Sequence, residues 1–193
     1  MVNKPDKFGI KFWVLVDNDT KYLCKAFPYL GKDELCSANE SLPESFVMRL
    51  MSPYLNKGRN VTTDNFFTTA SLARTLKGKH TSIVGMISRT QREIPAVLAM
   101  QRAPLHETTL LRNGDSATLT VYQGKVNKNV LILSTLHSTI DIGTNRKKLP
   151  ETVQFYKTKC GVDILDQMAC RYSKTAAARW WPMFSITYWI LRR

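Results

Sequence analysis

Phe8-Gly9-Ile10-Lys11-Phe12-Trp13-Val14-Leu15-Val16, followed by Asp17-Asn18-Asp19-Thr20, is the stretch whose reading decides the fold. Its aromatic and β-branched residues, apolar on both faces near the end, read as a strand. The Asp17–Thr20 cluster is a turn, and Lys21 to Phe27 reads as the returning strand of a hairpin. Pro28 to Asn39 reads as a loop. Ser41-Leu42-Pro43-Glu44 has the spacing of a capping box, and Phe46, Val47, Leu50 and Met51 follow at helical intervals until Pro53. A turn over 56–60 leads to the short strand Val61-Thr62-Thr63, which stops at Asp64. Thr68 or Thr69 then caps a helix carrying Leu72, Ala73 and Leu76, and Thr81 to Ile87 is a further strand. The order strand, strand, helix, strand, helix, strand predicts an α/β fold on a mixed sheet.

Residues 88–150 differ. An irregular Ser88-to-Pro95 segment precedes two strand-like runs, Ala117–Tyr122 and Val130–Thr135. With little apolar mass of its own, this region reads as a β-rich insertion rather than a second domain. Helical character resumes at Glu151 and continues, interrupted near Gly161, towards Tyr172. The division expected is 1–87 for the first part of the core, 88–150 for the insertion and 151–193 for a helical completion of the core, cut short at its end.

The chain carries 28 Lys and Arg against 15 Asp and Glu, a formal charge of +13. Acids and bases cancel up to Asn56, so all of the excess lies beyond it. That asymmetry points to a polyanionic partner, most often nucleic acid. The apolar Trp180–Leu191 stretch is about a dozen residues, short of the roughly 20 that a membrane span needs. No signal-peptide core follows Met1, so neither a membrane protein nor a secreted one is expected. Cys24, Cys36, Cys160 and Cys170 form no CxxC pair, and His80, His106 and His137 lie at no ligand spacing from them. Zinc therefore has no support, and free thiols in a reducing compartment are expected.

Asp17 and Asp64 each end an apolar strand. Asp163 and Asp166, three residues apart in an apolar helical run, share a face. Carboxylates on a basic protein repel phosphate unless a divalent cation neutralises them. Hard oxygen donors suit Mg²⁺, and a pair of such ions serves in-line displacement at phosphorus. Each acid also has an ordinary use: Asp17 in the hairpin turn, Asp64 as a helix cap, Asp163 or Asp166 in a first turn favoured by the helix dipole. Trp13, Phe66, Phe67 and Trp180 sit in apolar strings and are expected in the core, which argues against a single-strand RNA reader.

Longer strings narrow the choice. Asn3-Lys4-Pro5-Asp6-Lys7-Phe8-Gly9-Ile10-Lys11, Val61-Thr62-Thr63-Asp64-Asn65-Phe66-Phe67-Thr68 and Gly161-Val162-Asp163-Ile164-Leu165-Asp166-Gln167-Met168 strongly resemble the piggyBac transposase family. Arg92-Glu93-Ile94-Pro95, Leu133-Ser134-Thr135 and Arg179-Trp180-Trp181-Pro182 are further landmarks in the family's order. The resemblance implies a ribonuclease H-like mixed sheet flanked by helices, with the insertion domain at 88–150. It implies catalytic Asp17, Asp64 and Asp163, with Asp166 as the neighbouring acid of the third motif, and Mg²⁺ or Mn²⁺ held by Asp17, Asp64 and Asp163. It further implies cleavage and strand transfer on double-stranded transposon-end DNA, TTAA targets and a nuclear location. Arg89, Arg92, Lys147 and Lys148 are the candidate DNA contacts, and the apolar stretch near the end points to a homodimer. The flanking family regions, among them a Cys-rich zinc module, are expected to be missing, which makes this a fragment or decayed copy of weak activity. The alternative is a domesticated relative that binds DNA or protein without cutting.

Overall fold

In the computed structural model the apolar run forms strand β1 (Ile10–Asp17), and β2 (Leu23–Tyr29) returns beside it. The residues described are 10–29, 41–91, 93–94, 103–114, 117–126, 128–144, 146–158, 161–172, 184–187 and 190–192. Strand β2 carries on through Pro28, where a loop was expected to begin. It is the terminal strand of the sheet, so proline's missing N–H costs little there.

Helix α1 (Leu42–Met51) and a 3₁₀ turn (Ser52–Tyr54) lead to β3 (Asn60–Thr63), α2 (Ala70–Gly78) and β4 (Ser82–Met86). Strands β5 (Thr108–Asn113), β6 (Ala117–Lys125) and β7 (Lys128–Ser134) follow, then helices α3 (Glu151–Lys157) and α4 (Gly161–Tyr172) and strands β8 (Phe184–Thr187) and β9 (Ile190–Arg192). The sheet runs β2-β1-β9-β3-β4-β7-β6-β5, with β8 also paired to β1. Strands β3 and β4 are parallel, and β4 is antiparallel to β7.

Alternation along the strands sorts the layers. Trp13, Leu15, Val61 and Ile83 pack with Phe46, Val47, Leu50 and Met51 of α1 and with Leu72, Ala73 and Leu76 of α2. On the other face Val14 and Val16 meet Val162 of α4, while Val84 and Ile132 meet Val153 and Tyr156 of α3. A strand covered by helices on both sides must be apolar on both faces, which is how the β1 sequence reads.

Two local expectations resolve differently. Ser41 stands before α1, but its side chain accepts no backbone N–H; its Oγ donates to Glu44 Oε2 at 3.3 Å. Glu44 instead accepts the Thr69 hydroxyl at 3.1 Å, tying α1 to the start of α2. Thr69 is the cap of α2, accepting Leu72 N–H at 3.0 Å, while Thr68 is buried. We expect Thr69→Ala to lower stability by about 1 kcal/mol, since both bonds go, and a urea melt measures it.

Among the described residues, 88–150 holds three strands, one more than expected: Thr108-Thr109-Leu110-Leu111 pairs with β6. The three form an antiparallel meander that extends the main sheet through β7. Over 151–193, where helices were expected, α3 and α4 are helical, whereas 184–187 and 190–192 are strands beside β1. Short apolar runs satisfy helix and strand patterns alike, and here sheet pairing decides. Among the described residues no helix is long and apolar enough to cross a membrane.

Candidate functional site

Strand β3 ends where the Asp64 backbone carbonyl accepts Phe67 N–H and Thr68 N–H, both at 3.1 Å, and the Thr68 hydroxyl at 2.9 Å. Three donors on one carbonyl close a tight turn. A buried bond between the Thr63 and Thr68 hydroxyls, 2.7 Å, locks it. The Asp64 side chain is therefore presented from a fixed backbone. Its Oδ1 accepts Asn65 N–H at 2.8 Å and the Tyr156 phenol at 3.4 Å.

Tyr156 reaches this strand end from α3, on the opposite helical layer from α2, and is buried. Thr63 is in register with Gly85, so the ends of parallel β3 and β4 lie together, and the Met86 backbone also meets the Tyr156 hydroxyl. Burial first, then the negative charge of Asp64 and its hydrogen bond, hold the Tyr156 hydroxyl well above the ordinary tyrosine range. Asp163 acts on the same hydroxyl in the same direction. Asp64, 99 positions before Asp163 in the numbering, is the acid that accepts the phenol's hydrogen bond, and Asp163 is felt there through its charge.

Asp163 lies exposed in the first turn of α4, where the helix dipole favours an acid. The helix begins hard against β1. A Cβ on Gly161 would lie 3.3 Å from Val16 Cγ1, 3.4 Å from Asn18 Cα and 3.5 Å from the Asp17 carbonyl oxygen. A methyl group there would be in contact with the strand end, so helix and strand end lie close together.

Asp17 is half-buried, with Oδ2 accepting Thr20 N–H at 3.1 Å and also the Thr20 hydroxyl. Strand β9 lies between β1 and β3, pairing Asp17 with Leu191 and Leu191 with Val61. Strand β1 thus runs antiparallel to β3, and Asp64, three residues beyond Val61, is displaced from Asp17 by two strand spacings across and three residues along the sheet, roughly 14 Å. The Asp166 side chain lies outside the described residues, although its backbone belongs to α4. Asp64 meets Tyr156 directly, Asp163 acts on that phenol through its charge, and the backbone of Asp17 abuts the helix that carries Asp163.

Carboxylate oxygens, one set exposed to water, suit in their chemistry a hard ion that keeps several waters. Among the described residues no three His, Cys, Asp or Glu side chains are grouped to hold a metal.

Arg89 is exposed and donates to the Asn129 carbonyl at 2.9 Å. Lys147 and Lys148 are exposed, and the Lys147 carbonyl accepts the Tyr122 hydroxyl at 2.7 Å. Because Tyr122 pairs with Val130 and Gln123 with Asn129, Arg89 and Lys147 are anchored at neighbouring register positions of β6 and β7. Arg92 lies outside the described residues, as does Trp180.

Sequence reasoning placed Phe66 in the core, but it is 57% exposed while Phe67 is buried. Successive residues in a tight turn diverge, so only one of the pair turns inward. Tyr156 was read only as helix; a bulky phenol beside a run leading to Asp163 was the available signal.

A further polar cluster is structural. Ser134 Oγ lies 2.7 Å from His137 Nδ1 and accepts Leu136 and His137 N–H, which closes the turn after β7. His137 Nε2 lies 4.0 Å from Glu151. Burial lowers the His137 pKa, opposed by Glu151. A lowered pKa in the folded state means that the unfolded chain binds the proton first. Stability from this group is full above about pH 6.5 and is lost as pH falls towards the depressed value. We expect His137→Gln to flatten the pH dependence of the melting temperature in that window.

A family model described as Transposase IS4 matches residues 1–190. Among solved structures, the cryo-EM structure of a piggyBac transposase synaptic complex with hairpin DNA is 34% identical over 93% of this chain, with a TM-score of 0.79. The chain spans 38% of the length of that relative.

Proposed function

This chain belongs to the IS4/piggyBac-type transposase family, and from that premise we propose that it carries the DDE/D core of a cut-and-paste DNA transposase. Its mixed sheet, flanked by helices and extended by a β-rich insertion, is the ribonuclease H-like fold of that family. In this reading Asp17, Asp64 and Asp163 are the reacting-site acids, with Asp166 beside the last. The substrate is double-stranded DNA, with TTAA targets, in the nucleus, and the active form is a homodimer.

One observation carries the reading: Asp64 accepts a bond from the buried Tyr156 phenol, on which Asp163, far away in the sequence, also acts through its charge, and the Asp163 helix starts against Asp17. A structural use of each acid alone gives no reason for that gathering. Magnesium or manganese, when bound by these carboxylates, would supply activation of the attacking oxygen and stabilisation of the leaving one. Asp64 is held on its locked turn, and Asp163 is open to water. Arg89, Lys147 and Lys148 offer positive charge to phosphates, with Arg92 as a fourth candidate.

A second reading, a relative that binds DNA without cutting, is favoured by the Asp17 carboxylate being turned into its own hairpin. For that reason we expect this chain by itself to cleave weakly. A nicking assay on supercoiled DNA with Mg²⁺ or Mn²⁺, with Asp64→Asn as control, separates the two. Divalent-dependent nicks that Asp64→Asn abolishes support the enzyme core. Salt-sensitive duplex binding with no nicks under any divalent ion supports the second reading.

A further inference from the structure

We propose that Ser134 and His137 form a proton-sensitive lock on the turn after β7, the root of the loop that carries Lys147 and Lys148. The lock is closed while the imidazole is neutral and opens when the ring takes up a proton.

The Leu133-Ser134-Thr135 string supplies the fixed side. Thr135 fastens the turn to β4: its N–H donates to the Ile83 carbonyl and its hydroxyl oxygen accepts Ile83 N–H, both at 2.9 Å. Ser134 is fully buried, and its oxygen has two lone pairs and one proton to place. The N–H groups of Leu136 and His137, at 3.2 and 3.1 Å, take both lone pairs. The hydroxyl proton is left for His137 Nδ1 at 2.7 Å, which must accept it. His137 is therefore the neutral tautomer with its proton on Nε2, the nitrogen nearer Glu151. An added proton lands on Nδ1 and faces an oxygen with no lone pair left. The hydroxyl must then release a backbone N–H, or the ring must leave.

The neighbours do little to offset that conflict. Helix α3 presents Phe155, edge-on at 5.2 Å, and Glu151, 4.0 Å from Nε2. From β6 the Thr118 hydroxyl donates to the His137 carbonyl at 3.3 Å, and Arg112 of β5 donates to the Ser138 carbonyl at 2.7 Å. Glu151 favours the charged ring, but it is half exposed and beyond hydrogen-bond reach, so burial prevails and lowers the His137 pKa. Helix α3 is held separately, by the buried Thr152 to Thr120 hydroxyl bond at 3.0 Å. Opening is thus confined to the turn.

The test uses the full chain. Nitrogen-15 shifts at neutral pH are expected to show His137 protonated on Nε2 and bare on Nδ1. Hydrogen exchange, corrected for the intrinsic chemical rate, is followed at the Leu136 and His137 amides. The open turn binds the proton at the ordinary pKa and the closed one at a lower value. Opening should therefore rise by up to about tenfold per unit as pH falls below about 6.5, and level off beneath the lowered value. Val153 and Gln154, bonded to the Pro150 carbonyl within α3, should keep their protection. His137→Gln should abolish the pH response, and Ser134→Ala should raise the His137 pKa towards its ordinary value.

A proton on Nδ1 at neutral pH overturns the inference, as does opening that ignores pH. So does the same response in His137→Gln, or equal loss of protection at Val153 and Gln154. An unchanged His137 titration in Ser134→Ala means that burial alone sets it, and also overturns the lock. Should Ser134→Ala not fold, the tautomer and exchange of the unaltered chain decide.

Discussion

Gly85→Ala is expected to lose about 3 kcal/mol or more of stability and to disturb the Asp64 turn together with the sheet. Gly85 lies on β4 in register with Thr63. A Cβ built there falls inside the contact distance of both the Thr68 and the Thr63 hydroxyl oxygens, and 2.9 Å from Thr68 Cγ2. These are the two hydroxyls whose 2.7 Å bond locks the turn after β3. The neighbours cannot retreat, since Thr63 is fixed in the ladder and Thr68 is fully buried. The methyl group must break the hydroxyl pair or push the strands apart. The check is a urea melt of Gly85→Ala beside the triple variant that adds Thr63→Ala and Thr68→Ala. Removing both obstructing hydroxyls should return part of the loss, so the changes are non-additive. If the triple variant is instead less stable than the sum of its parts, the clash is not the cause.

Trp13→Ala is expected to cost about 3–5 kcal/mol, a large share of the total stability of a domain this size. Trp13 is 1% exposed at the middle of β1. Its ring stacks on Phe46 at 4.8 Å, meets Phe67 edge-on at 5.2 Å and lies 5.7 Å from Tyr29. It thus joins β1, β2, α1 and the turn that carries Asp64. Alanine leaves a cavity that four separate segments would have to collapse to fill, and rigid strands resist that. Trp13→Phe, which keeps a ring against Phe46, should lose clearly less. Circular dichroism during denaturation is the suitable readout, because Trp180, Trp181 and Trp189 also contribute to fluorescence. A loss below 1 kcal/mol in Trp13→Ala would place the centre of the core elsewhere.

Much of the fold was legible because its code is local. Strand β1 reads apolar on both faces since helices cover both, and Phe46, Val47, Leu50 and Met51 recur at the interval of a helix with one buried side. Where two patterns are degenerate, locality fails. The 184–192 run satisfies either period, and Pro28 is tolerated because β2 happens to be terminal. Glu44 had the spacing to cap its own helix, yet bonds Thr69 across the fold.

The candidate site divides along the same line. That Asp64 and Asp163 end or begin apolar elements follows from the order of residues, as does the position of the positive charge beyond Asn56. That Asp64 accepts the Tyr156 hydroxyl, that Asp17 turns its carboxylate into its own hairpin and that Phe66 faces solvent beside buried Phe67 were decided only in three dimensions. The physical reason is the range of the forces involved. Periodicity and turn chemistry act over a few neighbouring residues and are written in the string. The bond from Tyr156 to Asp64 joins groups 92 positions apart, and it exists only because two helices and two parallel strands have already packed.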